Sequence, residues 1–114
     1  MLLERIHEHM EKTGGRVLVV VTASKEAMDH EEFTERFSFG DSLGLDWDRP
    51  ANRLAEIAAG QGIDFVDLHP VFREEEDPMT LFLKNNGHWS AAGHELAART
   101  VAEKIRSVEA REQR

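Results

Sequence analysis

Arg16-Val17-Leu18-Val19-Val20-Val21-Thr22 holds an unbroken aliphatic run from Val17 to Val21. A run with no polar alternation is the composition of a strand covered on both faces of a parallel sheet. A second strand reads from Ile63-Asp64-Phe65-Val66-Asp67-Leu68. Between them, residues 48–60 read as a helix. Asp48 stands at the N-cap, Pro50 in the first turn, Leu54, Ile57 and Ala58 on one stripe, and Gly60 and Gly62 at the exit. Strand, helix, strand in this order is a βαβ unit, and the fold class is α/β.

Working outward, Leu2, Leu3, Ile6 and Met10 recur at helical spacing within residues 2–12, and Thr13-Gly14-Gly15 ends the pattern. This predicts a short amphipathic helix packed on the sheet. Residues 24–39 are mixed, with Met28, Phe33, Phe37 and Phe39 as apolar contacts, and read as a short helix or an excursion loop. From His69 to Asn86 the chain reads mostly as loop, and Glu74-Glu75-Glu76-Asp77 as a solvated turn. Ser90 caps a long helix over about residues 91–109, with Leu96, Ala97, Val101, Lys104, Ile105 and Val108 on one face. Residues 110–114 read as a disordered tail. No repeat, low-complexity segment or linker divides the chain, so residues 1–114 read as one domain. Two strands make an uncomfortably small sheet, and Val17–Val21 would present an open edge. Further strands must come from the mixed segments, from a longer parent, or from a second chain in a homo-oligomer or a partner complex.

Composition removes several function classes. The 114 residues carry 14 Lys+Arg against 22 Asp+Glu, a net charge of −8, and no cysteine. That balance argues against nucleic acid and anionic membrane surfaces as partners, since both are bound through Lys and Arg. The lack of cysteine excludes a disulfide scaffold, a thiol nucleophile and Cys-ligated metal centres. No metal or cofactor motif is present, and His7 and His9 project about 200° apart on a helix. No apolar run approaches the ~20 residues of a membrane span, and no secretory signal opens the chain, so a cytoplasmic location is the default expectation.

The segment richest in chemistry is Leu81-Phe82-Leu83-Lys84-Asn85-Asn86-Gly87-His88-Trp89-Ser90-Ala91-Ala92-Gly93-His94. It delivers His88 on a loop just before a helix N-cap, where an imidazole can serve as general base if a partner fixes its tautomer. Trp89 is placed to shield that ring, and Gly93 to let a neighbouring backbone come close. A histidine here can equally be structural, capping the last helix.

This block resembles the C-terminal signature of the SGNH (GDSL-type) esterases and acyltransferases, commonly Asp-Gly-His-Trp-Asn-x-x-Gly-His followed by a helix. The resemblance extends to Val17–Val21 with Thr22-Ala23-Ser24-Lys25-Glu26, to Asp46-Trp47-Asp48-Arg49-Pro50, and to Gly62–Leu68, covering about residues 16–106. It implies a flavodoxin-like, three-layer parallel sheet, here truncated to βαβ plus the N- and C-terminal helices. It also implies serine attack on a carboxylic ester, with a small-molecule or glycan ester as substrate and no cofactor. His88 carries over as the catalytic base, and His94 as a structural residue. The family's triad carboxylate falls on Asn86 or Asn85, neither of which can offset an imidazolium. Asp67 and Asp77 are the other carboxylates that could fold inward. Gly40-Asp41-Ser42-Leu43 spells the family's nucleophile motif, but it follows the charged Glu31–Phe39 stretch and sits between late blocks, so Ser42 is a nucleophile candidate or simply a loop serine. The family's Gly-x-Asn-Asp block has no counterpart. Two readings stay open: an esterase or O-acyltransferase module, and a non-catalytic assembly or binding domain that has lost its triad.

Overall fold

The computed structural model describes residues 1–29 and 46–113. Its elements run α1 (Leu2–Lys12), β1 (Leu18–Val21), α2 (Lys25–Met28), α3 (Arg49–Gln61), β2 (Asp64–Asp67), α4 (Leu68–Arg73), a 3-10 turn (Pro78–Leu81) and α5 (Ala91–Glu112). β1 and β2 pair in parallel, with Leu18 opposite Asp64 and Val21 opposite Asp67. The result is a mixed helix–strand fold around a two-stranded parallel sheet. The aliphatic run does form a strand, though not a fully buried one: every residue of β1 and β2 is half-buried. Among the described residues, only two strands share the packing of α3, α4 and α5, which leaves the pair partly open.

Local rules account for the crossover helix. Pro50 sits in the first turn of α3, Ala51 and Ala58 are buried, and Gly62 ends it at φ 69°. That left-handed turn lets the Gly62 and Ile63 amides reach the Ala59 and Ala58 carbonyls and launches β2. Asp48 corrects the sequence expectation. It precedes the helix but makes no side-chain cap; its Oδ1 instead accepts a 2.6 Å hydrogen bond from Arg73.

Residues 69–86 are more ordered than a loop. Asp67 accepts from the His69 amide and starts α4, while Asp77 accepts from the Met79 amide and starts the 3-10 turn. Both are N-cap carboxylates followed closely by proline, which is the reason these stretches coil. Glu74–Asp77 is exposed.

The amphipathic α1 forms, yet none of its residues is buried; Leu2 is 72% and Ile6 43% exposed. Leu3 and Met10 of the same stripe are half-buried, so α1 is covered less than its stripe predicts. α5 begins as its sequence dictates, Ser90 Oγ accepting from the Gly93 amide. It then continues past 109, because Arg111 pairs with Asp64 and Glu112 with Arg16, so residues 110–112 form helix rather than tail. Ile105 is 44% exposed, unlike Ala97 and Val108 on the same face. The main buried cluster is Ala23, Leu68, Phe72, Leu81, Phe82 and Ala97, with Val20, Val66 and Trp89 against it. It lies at the carboxyl ends of the strands. Among the described residues, no helix is long and apolar enough to cross a membrane.

Candidate functional site

Two chain segments meet above the carboxyl end of β1. The first is the strand-end loop Thr22-Ala23-Ser24 leading into α2, whose Ser24 Oγ accepts from the Ala27 amide. The second is a narrow hairpin. Phe82 and Trp89 form an antiparallel bridge, the Leu83 amide donates to the His88 carbonyl at 2.8 Å, and the Ser90 amide donates to the Leu81 carbonyl at 2.9 Å. Ser90 Oγ also donates to the Thr80 carbonyl at 2.7 Å, binding the hairpin's foot to the 3-10 turn. Gly93 is required here. A Cβ at this position would overlap the Leu81 carbonyl oxygen, so only glycine lets α5 seat against the turn.

The segments are joined at two points. Trp89 Nε1 donates to the Ala23 carbonyl at 3.0 Å, and Lys25 Nζ donates to the Leu83 and Lys84 carbonyls at 3.1 and 3.2 Å. Trp89 thus anchors the hairpin, and the His88 residue beside it stays exposed. The Trp89 ring lies 5.4 Å from that of Phe72 and 5.4 Å, edge-on, from that of His94. His94 itself is exposed.

Between the segments lies an open cleft of about 430 Å³, with Thr22, Ser24 and Glu26 on one side and His88, Trp89 and His94 on the other. His88 is exposed on this wall. Asn86 does not act on its ring: Asn86 Oδ1 accepts from the His88 backbone amide at 2.9 Å, holding the turn's shape. Glu26 brings a carboxylate to the same cleft, with Oε1 4.0 Å from where a Cβ on Gly87 would stand. Asp77 is exposed and engaged in capping its own turn. Ser42, with its Gly40–Leu43 motif, lies outside the described residues.

Sequence reasoning missed His69. It is 6% exposed and is held by two partners. Asp67 Oδ1 lies 2.8 Å from Nδ1, and the Ser24 amide donates to Nε2 at 3.4 Å. An amide donor on Nε2 leaves the ring proton on Nδ1, facing the carboxylate, so the neutral ring satisfies both neighbours. Asp67 does fold inward, but its imidazole is His69 and not His88. The signal was an Asp-x-His at a strand end, readable only once the Ser24 loop is known to pass overhead. Among the described residues, no group of three or more His, Asp or Glu side chains is arranged to hold a metal ion.

A family model described as an SGNH hydrolase-like domain, acetyltransferase AlgX, matches residues 1–114. A search of curated proteins finds no matching relative. The hairpin with its His-Trp-Ser-x-x-Gly-His sequence, seated at the carboxyl end of a parallel strand pair, agrees with that match: the chain belongs to the AlgX acetyltransferase family of SGNH hydrolase-like domains and is a hydrolase- or acyltransferase-like module.

Proposed function

We propose that the cleft between the β1 loop and the His88 hairpin carries out serine-type acyl transfer from a carboxylic ester. The observation behind this reading is the exposed His88 on an open cleft at a strand's carboxyl end, the usual place for ligands in parallel α/β sheets. In the reaction a serine hydroxyl adds to the ester carbonyl carbon, and His88 takes the hydroxyl proton. The tetrahedral intermediate then expels the alcohol, which receives that proton from the imidazolium. An acyl-serine remains, and its acyl group passes to water in an esterase or to a sugar hydroxyl in an O-acyltransferase. Ser42 is the nucleophile candidate within this chain. The parallel pair is then the core of a three-layer, flavodoxin-like sheet whose other strands come from outside β1 and β2 or from a partner.

Asn86 favours a second reading, a non-catalytic assembly or binding domain. An amide cannot balance an imidazolium, and in serine proteases the corresponding Asp-to-Asn change lowers turnover by about 10⁴.

Hydrolysis of p-nitrophenyl acetate separates the two. The catalytic reading expects a rate above background that falls by about 10²–10⁴ in His88→Ala and vanishes in Ser42→Ala. Equal rates for wild type, His88→Ala and Ser42→Ala overturn it in favour of the binding domain. A rate that rises in Asn86→Asp identifies the missing carboxylate as the limit on turnover.

A further inference from the structure

Lys25 stands between two residues of the cleft wall, Ser24 and Glu26, yet its own ammonium leaves that wall and crosses to the hairpin opposite. There it donates to the carbonyl oxygens of Leu83 and Lys84, 58 and 59 residues further along the chain. Leu83 is the residue whose amide donates to the His88 carbonyl. One residue therefore receives the ammonium on its carbonyl and holds His88 through its amide. Both carbonyls belong to exposed residues that water could serve equally well, so the ammonium is not needed to satisfy them. What it adds is a charge-assisted tie between the strand-end helix and the hairpin tip.

We infer that Lys25 is a positioning residue, whose ammonium sets the distance between the α2 wall and the His88 hairpin and so holds the imidazole over the cleft. This rests on the acyl-transfer reading for its purpose, but not for its geometry. Trp89, through the Ala23 carbonyl, and Ser90, through the Thr80 carbonyl, tie the hairpin's base, and among the described residues Lys25 is what ties the tip around Lys84 to α2. A hairpin fixed at one end pivots, and a displacement of about 1 Å is enough to impair proton transfer at hydrogen-bond range.

The test uses the full chain. In Lys25→Met, hydrogen exchange of the Leu83 amide accelerates about tenfold relative to the Phe72 amide in the core. The His88 ring signal in a ¹H–¹³C spectrum shifts at the same time. The chain contains no cysteine, so Lys25→Cys introduces a single thiol. Reaction of that thiol with 2-bromoethylamine rebuilds an ammonium at lysine length. Unmodified Lys25→Cys behaves like Lys25→Met, and aminoethylation restores both signals. Unchanged Leu83 exchange and His88 signals in Lys25→Met overturn the inference, as does a change that aminoethylation fails to reverse. If Lys25→Met does not fold, the wild-type lysine decides. An ammonium held by two carbonyls gives a slowly exchanging side-chain ¹⁵N signal, and a fast, solvent-averaged one overturns the inference. Ester hydrolysis supplies a separate arm, expected to lose kcat at constant KM in Lys25→Met. Wild-type chain without hydrolysis removes the acyl-transfer reading while the exchange and ring signals still judge Lys25.

Discussion

At the carboxyl ends of β1 and β2, Phe72 and Leu68 are fully buried, Leu81 and Phe82 nearly so, and the loops are joined by long-range hydrogen bonds, one accepted by His69 and others donated by Trp89 and Lys25. At the amino ends, Val17, Leu18 and Ile105 line a groove of about 290 Å³ that stays open. That end carries pairs between partly exposed side chains, Arg111 with Asp64 and Arg16 with Glu112, beside the buried Ile63 and Val108. Nearby in sequence, α1 has no buried residue at all. The contrast teaches where this small chain concentrates its rigidity. Buried aromatic contact and tertiary hydrogen bonds gather beneath the cleft, while the opposite end adds ion pairs that are individually weak in water to the smaller buried side chains of Ile63 and Val108.

Four substitutions test that contrast, the first three at the rigid end. Phe72→Ala removes a ring 5.8 Å from Phe82 and 5.4 Å from Trp89. It should cost about 3–5 kcal/mol in urea denaturation, a large part of the stability of any domain this size. Gly93→Ala drives a methyl into the Leu81 carbonyl and should cost about 1–3 kcal/mol. It should also move the Trp89 indole resonance, since the hairpin foot must give way. His69→Leu leaves the part-buried Ser24 amide without its acceptor and takes the imidazole from Asp67 Oδ1, which keeps only the residue-69 amide, at about 1–3 kcal/mol by the same denaturation measurement. At the other end, Arg111→Ala should cost at most about 1 kcal/mol, and the difference should shrink in 1 M salt. A loss in Arg111→Ala equal to that in His69→Leu would break the comparison. A loss confined to the first three sharpens it.

Much of the scaffold was legible because its signals are local. The Val17–Val21 run, Pro50 with Gly62, and Ser90 before Ala91 each state an element boundary through backbone sterics or one short-range hydrogen bond. Two capped turns were misread as loop. Asp67 ahead of Pro70 and Asp77 ahead of Pro78 are start signals, but they announce helices too short for a periodic apolar stripe to reveal. The α1 stripe was a weaker guide: periodicity establishes that a helix is amphipathic and says nothing of how deeply that face is covered.

The site divides along the same line. Sequence determined the two parallel strands, the His88 turn, the capped terminal helix and the place of Gly93, since each follows from the conformational preferences of a few adjacent residues. Only tertiary structure decided that Asp67 serves His69, that Asn86 shapes the turn instead of orienting the imidazole, and that Lys25 reaches the hairpin carrying His88. The Lys25 contacts close over tens of residues, to carbonyls 58 and 59 positions away, and the same His69 also accepts from the Ser24 amide 45 positions back. The Asp67 and Asn86 bonds each span two residues, but their direction depends on what the rest of the fold brings to the other side of the ring. A side chain's partner is set by the packed arrangement of whole elements, and no local pattern of residue types encodes it.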